Sequence, residues 1–245
     1  MSNVFSNTTT KAGILQAIER YTKLGDAGIT GNTTRLAEFT AEVNLALDDV
    51  YATVFEVGGT WQFDDSNHTK YPIITTTITS GQRDYPFTTD EQGNLILDIY
   101  KVLIADSDGN FREIEPADQQ SNAPTGFTDG QNTTGLPTWY DKTANGIFLE
   151  PIPNYTRAAS LKVFINREGS YFVTTDTTKK PGFAGLFHEI LALKPAYKYA
   201  MINQLNNKDD LAREIFKMEE GIKNYYKARE RDVQKTLRGV ANNAH

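Results

Sequence analysis

Leu95-Ile-Leu-Asp-Ile-Tyr-Lys-Val-Leu-Ile104 decides how the middle of this chain folds. It mixes alternation with a continuous apolar run and predicts a central β-strand. Asp106-Ser-Asp-Gly-Asn110 then supplies a turn, and Phe111-Arg-Glu-Ile-Glu115 returns from it, so the two runs read as a hairpin. Upstream, Tyr71–Thr79 is β-branched and stops at Ser80-Gly81, and Tyr85-Pro-Phe87 is a short extended piece. Downstream, Thr138–Tyr140, Gly146–Glu150 and Ser160–Ile165 read as further strands, with Tyr171-Phe172-Val173 as one more. A long Gly/Asn/Thr/Pro loop, 121–135, interrupts them. Strands at this spacing suggest a small antiparallel sandwich or barrel.

The period changes on both sides of this β-rich middle. Ile14, Leu15, Ile18 and Tyr21 are spaced for a helix, with Thr10 as its expected N-cap and Gly25 and Gly28 as its stop. Asn32 or Thr33 starts a longer helix whose apolar positions are Leu36, Phe39, Val43, Leu47, Val50 and Val54, closed by Gly58-Gly59. After Pro181 come Phe183, Leu186, Phe187, Ile190, Leu191 and Leu193, with Pro195 expected to kink or end that helix. A last helix is expected from about Asp209 to Leu237, along Leu211, Ile215, Met218, Ile222, Tyr225, Arg229 and Val233. The ends, Met1–Thr10 and Arg238–His245, read as polar arms.

The expected fold class is therefore α+β. An α-helical bundle formed by the N- and C-terminal helices (1–59 and 181–245) carries an inserted antiparallel β-sandwich or barrel (60–180).

Composition bounds the function. The 245 residues contain no cysteine, which excludes disulfides, thiolate zinc sites and cysteine nucleophiles. A net charge of −6 argues against a free nucleic-acid binder, while leaving room for a local basic strip. Neither a signal peptide nor a membrane-length apolar run is evident, so a soluble protein made in a cytosol is expected. The N-x-Thr sequons at Asn7, Asn32, Asn67, Asn132 and Asn154 reflect a chain rich in Asn and Thr.

Candidate chemistry is sparse. Asp106-x-Asp108-Gly-Asn110 looks like the start of a calcium loop, but position twelve is Ala117 and the flanks are strands, so a hairpin turn is preferred. His68, His188 and His245 have no partner at ligand spacing, and His188 reads as a structural or interface histidine. The acid pairs Asp48-Asp49, Asp64-Asp65, Asp209-Asp210 and Glu219-Glu220 read as solvated faces and helix starts, because helical neighbours point about 100° apart. No phosphate-binding or nucleophile motif is present. No catalytic residue, cofactor or metal is expected, and the chain does not read as an enzyme.

One strip stands out. Lys223, Lys227, Arg229, Arg231, Lys235 and Arg238 outnumber nearby acids, and Tyr225 and Tyr226 add aromatic surface. Interfaces favour Tyr and Arg. Tyr225, Tyr226, Lys227, Arg229, Arg231, Lys235 and Arg238 are therefore the expected interface.

The phrase Gly135-Leu-Pro137-Thr-Trp139-Tyr140, then Gly146-Ile-Phe-Leu149-Glu-Pro151-Ile-Pro153, then Leu161-Lys-Val163-Phe-Ile165, followed by Phe187-His-Glu-Ile190-Leu191, resembles the head-to-tail adaptor (connector) proteins of tailed bacteriophages and the related tail tubular protein A family. The resemblance covers roughly residues 130–205 by phrase. It implies a structural virion protein made in the host cytoplasm, a homo-oligomeric (dodecameric) ring in the neck. Portal protein and a tail or stopper/nozzle protein would be its neighbours, and packaged DNA would pass through it. The basic C-terminal helix would then dock on the portal or the neighbouring ring. The alternative is a tail-associated or carbohydrate-binding sandwich that stacks sugars on Trp61, Trp139 and Tyr140.

Overall fold

The computed structural model describes residues 3–58, 73–90, 93–117 and 133–233, with side chains to Arg229. Trp61, Asp64, Asp65, His68, Lys235, Arg238, His245 and most of the 121–135 loop lie outside the described residues, as do the sequons' Asn67 and Asn132. The chain is mixed α+β and divides into two units, Met1–Thr69 with Gly169–His245, and Lys70–Glu168. The sequence reading had drawn the second boundary at Pro181. Among the described residues no helix is long and apolar enough to cross a membrane.

The first unit contains α1 (Ile14–Thr22), α2 (Thr33–Val57), α3 (Ile190–Ile202) and α4 (Lys208–Val233). Asn32 caps α2, its side chain accepting from the Arg35 N–H, and Gly58 terminates it. The expected α2 stripe is the buried one, with Phe39, Val43, Leu47, Val50 and Val54 all inward. They share a single hydrophobic core with Ile14 and Ile18 of α1, Leu191 and Ala196 of α3, and Leu211 and Ile222 of α4. Helix α3 runs through Pro195 instead of ending there. The missing N–H costs one helical hydrogen bond, and burial of Ile190, Leu191, Ala192, Leu193 and Ala196 around it offsets that loss.

The N-terminal segment is not a loose arm. Phe5 is fully buried and stacks on Phe172 with ring centroids 4.5 Å apart. Its N–H donates to the Lys179 carbonyl (2.8 Å), and its own carbonyl accepts from Leu15 N–H (3.1 Å). This strap displaces the expected cap. Thr10 donates its N–H to Asn7 Oδ1 within a turn, and Gly13 is the N-cap of α1. A Cβ at Gly13 would lie 2.5 Å from the Asn7 nitrogen, so only glycine lets the strap approach so closely.

Residues 171–173 form no strand. They pack with the helices instead: Tyr171 Oη donates to Asp48 (2.6 Å), and Asn44 exchanges two hydrogen bonds with the Phe172 backbone (both 2.9 Å). A side-chain amide on α2 has thus replaced a neighbouring strand as the backbone's partner.

The second unit is one curled seven-stranded sheet, not two facing sheets. Its strands are β1 (Ile73–Ile78), β2 (Asp84–Pro86), β3 (Ile96–Ala105), β4 (Phe111–Pro116), β6 (Trp139–Thr143), β7 (Gly146–Glu150) and β9 (Arg157–Arg167). Their order is β1-β9-β3-β4-β6-β7-β2. The short strands β5 (Thr134–Gly135) and β8 (Ile152–Pro153) form a separate pair. The run at 95–104 is central as expected, flanked by β9 and β4. The sheet is not wholly antiparallel, because β4 and β6 run parallel. A tight hairpin cannot join parallel strands, whereas the long connection between Pro116 and Trp139 can. Ile99, Val102, Ile104, Tyr140, Leu149, Leu161 and Val163 face one shared core.

Candidate interaction surfaces

Helix α4 sets the geometry of the most exposed apolar surface. Its inward stripe is Leu211, Ile215, Met218, Ile222 and Tyr226. The expected stripe ran through Tyr225 to Arg229 and Val233, whereas the structure turns Tyr226 inward in place of Tyr225. Tyr226 is 2% exposed, and its hydroxyl accepts from the Ala184 N–H at 3.1 Å. A buried phenol needs such a partner. Tyr226 is therefore a core residue and presents no interface surface. Tyr225 is 40% exposed and packs edge-on against Phe187, with centroids 5.7 Å apart.

Of the remaining expected interface residues, Lys227 is exposed and Arg229 partly so. Arg231 lies on α4, with its side chain outside the described residues, as are Lys235 and Arg238 entirely.

On one flank of α4 a cleft of about 380 Å³ opens between α2, α3 and α4, with Ala46, Tyr197, Ile215 and Phe216 among its lining. A second cleft of about 620 Å³ between α2 and α3 adjoins it through Glu42 and Lys198, and includes Phe39, Tyr199 and Ile202. Lys194 crosses the first cleft and bonds Asp49 of α2 (3.0 Å) and Glu219 of α4 (2.8 Å). Burial alone would lower the pKa of Lys194, but its hydrogen bonds to Glu219 and Asp49 outweigh that and raise it above the usual lysine value. Lys198 pairs with Glu42 at 2.6 Å. The ion pairs of Lys194 and Lys198 neutralise part of the cleft rim, and two large apolar side chains stand exposed on it: Ile202 is 80% exposed and Phe216 67%.

On the opposite flank lies a cleft of about 390 Å³ carrying Tyr21, Glu189, Asp210 and Glu214 above Leu193 and Met218. Tyr21 Oη donates to Glu189, and burial followed by that bond raises the Tyr21 pKa well above ordinary tyrosine. Leu186, on the 3-10 turn Gly185–Phe187 that α4 contacts, is 72% exposed.

The acid pairs separate as helical spacing requires. Asp48 accepts from Tyr171 while Asp49 meets Lys194, and Asp209 and Asp210 occupy the first turn of α4. In the sheet unit, Asp106 is a turn residue. Its Oδ1 accepts from the Asp108 and Asn110 N–H groups (both 2.9 Å), and Gly109 adopts φ +97°. The hydrogen bond from the Asn110 backbone, first among several, lowers its pKa. The outer sheet face carries Lys162 over Phe111 (4.0 Å) and Lys101 beside Glu113 (3.0 Å). Tyr140, one of the three expected sugar-stacking aromatics, is 2% exposed in the sheet core, and Trp139 is half-buried.

His188 is a structural histidine, 2% exposed, between two carbonyls. Nε2 lies 2.8 Å from Phe183 O and Nδ1 3.2 Å from Asn3 O. The shorter contact assigns the proton to Nε2, which donates to Phe183. Burial, the largest influence, lowers its pKa despite the two carbonyls, and nearby Lys180 adds to the effect. The folded state therefore favours neutral His188. Its contribution is present above the unfolded value of about 6.5 and is lost as pH falls from there through the folded pKa. Urea midpoints should fall between about pH 7.5 and 5, and His188→Gln should flatten that fall. Equal losses in both proteins would remove His188 as the cause.

Phe216, Leu45 and Ile202 were missed by the sequence reading. Their signal was available: each is a large apolar residue beside, not on, its helix's inward stripe. No protein-family model matches the chain, and no curated protein sequence does.

Proposed function

We propose that this chain is a non-catalytic head-to-tail connector adaptor of a tailed bacteriophage, one copy of a homo-oligomeric ring in the virion neck. In this reading the helices of the two chain ends act as a bundle around the DNA channel, and the sheet unit is an insert directed to a neighbouring component. The portal lies on one side of the ring and a tail or stopper/nozzle protein on the other. The basic end of α4, from Lys223 through Arg229 and onward, docks on an acidic surface of the adjacent ring. Packaged DNA passes through with transient contact, which an acidic subunit permits because it does not retain the phosphate backbone.

The observation that carries the self-assembly is apolar exposure on one helical unit: Ile202 at 80%, Leu186 at 72% and Phe216 at 67%. Phe216 and Ile202 line adjoining clefts, and exposed apolar surface gathered in this way marks an association site. Sedimentation together with negative-stain imaging should find closed rings with a central channel, at a mass many times the 27.4 kDa subunit. A 27.4 kDa species at every concentration, alone or with portal rings present, would overturn the proposal.

A further inference from the structure

The two ends of the seven-stranded sheet are finished differently. At one end β2 is three residues long, and its free side is closed off. Arg83 C=O accepts from Leu149 N–H (2.9 Å) and Phe87 N–H donates to Asn145 C=O (2.7 Å), so Asp84 and Pro86, at the alternate positions, turn their backbone away from β7. Asp84 C=O accepts from its own neighbour, Gln82 Nε2 (2.9 Å), and Pro86 has no N–H to offer. A short edge carrying a charge and a proline is how native sheets refuse another strand.

At the other end β1 has none of these devices. Ile73-Ile-Thr-Thr-Thr-Ile78 is β-branched throughout and holds no charge and no proline. The bonds at its C-terminal end show which way each backbone group points. Ile78 N–H donates to Ser160 Oγ (3.2 Å) and Ser80 N–H to Thr156 Oγ1 (2.9 Å), both on the β9 side. Thr79 N–H turns the other way and donates to Tyr85 Oη (3.0 Å). Ile73, Thr75 and Thr77 therefore aim their N–H and C=O groups away from β9. Among the described residues no strand lies beyond them, and β1 and β2 do not pair with each other. The result is a row of donors and acceptors repeating about every 7 Å. An apolar patch accepts many shapes, but such a row is matched only by another extended backbone.

We infer that the outer edge of β1 receives a strand from a different protein, hydrogen-bonded main chain to main chain along Ile73, Thr75 and Thr77. The faces it extends set the incoming strand's own alternation. Beside Ile74, which packs on the sheet core, and Ile78, which is 0% exposed, it needs apolar residues. Beside Thr75 and Thr77, which are exposed, it needs polar ones. The choice of a different protein rests on the ring proposed above. Pairing β1 with β1 of a second copy is isologous and needs a two-fold axis, which a cyclic ring of more than two copies lacks. Pairing β1 with another copy's β2 fails at Asp84 and Pro86. The donor is therefore the tail or stopper/nozzle protein, with the basic end of α4 taking the portal side.

Amide exchange on the full-length protein tests the edge. In the chain alone, the N–H groups of Ile73, Thr75 and Thr77 should exchange fast, while those of Ile74 and Thr76, which face β9, should be slow. Adding the tail or stopper/nozzle protein should slow the three outward amides about 100-fold or more. Thr75→Pro deletes an outward N–H without touching the β9 ladder and should weaken that complex about tenfold or more. Thr75→Val, which keeps the N–H and the branched shape, should not. Thr77→Pro is a second edge variant, and if either proline disturbs circular dichroism, the exchange result on wild type decides. Slow exchange at Ile73, Thr75 and Thr77 in the chain alone means that the chain itself or its copies already fill the edge, and overturns the inference. So does a tail-side protein that does not bind, that leaves these amides fast, or that tolerates both prolines. Ring formation is scored separately by sedimentation. Rings that form while the edge stays unpaired sink this inference alone, and a wild type that never forms rings sinks the ring reading and the inference with it.

Discussion

Replacing Asp90 with alanine is expected to destabilise the sheet unit by about 3–5 kcal/mol, the range for removing one member of a buried ion pair. Asp90 and Arg167 side chains are each 3% exposed, with Oδ2 and Nη1 3.1 Å apart. Asp90 also accepts from the Asn94 N–H at 2.9 Å and from Asn94 Nδ2, so one carboxylate holds both the end of β9 and the turn before β3. Alanine leaves the guanidinium buried without its carboxylate, and that desolvation dominates the cost. The reciprocal Arg167→Met should cost less, because Asn94 still satisfies part of Asp90. The double substitution should recover some of the loss. Urea unfolding of the four proteins forms the cycle. A single-variant loss below about 1 kcal/mol would show that the pair is not desolvated as its burial indicates.

The second large effect is expected at the other unit. Phe5→Ala should cost about 3–5 kcal/mol, as for other fully buried aromatics. The side chain is 0% exposed and stacked on Phe172, and its backbone bonds both Lys179 and Leu15. Loss of the ring should therefore free the strap and raise amide exchange at Ile14 and Leu15, whose N–H groups donate to Val4 and Phe5 carbonyls. Phe5→Leu, which keeps most of the volume, should cost far less. Unchanged protection at Ile14 together with a loss under about 1 kcal/mol would refute the anchor.

Phe5 also shows where the sequence was silent. A single aromatic in Ser2-Asn-Val-Phe-Ser-Asn7 has no period to reveal it. Its partners, Phe172 and Lys179, lie far along the chain. Local pattern did reveal the α2 stripe, the Asn32 cap, the central strand at 95–104 and the Asp106 turn, because each is specified by neighbours within a few residues. It missed the β4–β6 parallel pairing, since register across a long connection leaves no local trace. The site was half legible. Basic residues on α4 are a matter of composition, but which tyrosine turns inward depended on the distant Ala184 N–H. Phe216 stood one position off the stripe, where helical periodicity alone assigns no partner.

The discontinuity of the helical unit has a consequence for how the protein is made. Helices α1 and α2 emerge from the ribosome before the sheet unit, yet their core partners α3 and α4 come after it. The contiguous stretch Lys70–Glu168 holds all its own strand partners and can close during translation. The first helices have no such option. At ordinary elongation speeds Val43, Leu47 and Val54 remain without their C-terminal partners for on the order of ten seconds, and short isolated helices are marginal in water. During that interval the nascent chain displays an adhesive apolar stripe, the kind of transiently exposed surface that makes a folding chain prone to aggregate. The birth order of the helical unit is thus first helices early and their partners last, and every copy passes through a stage with this stripe uncovered before that unit can close.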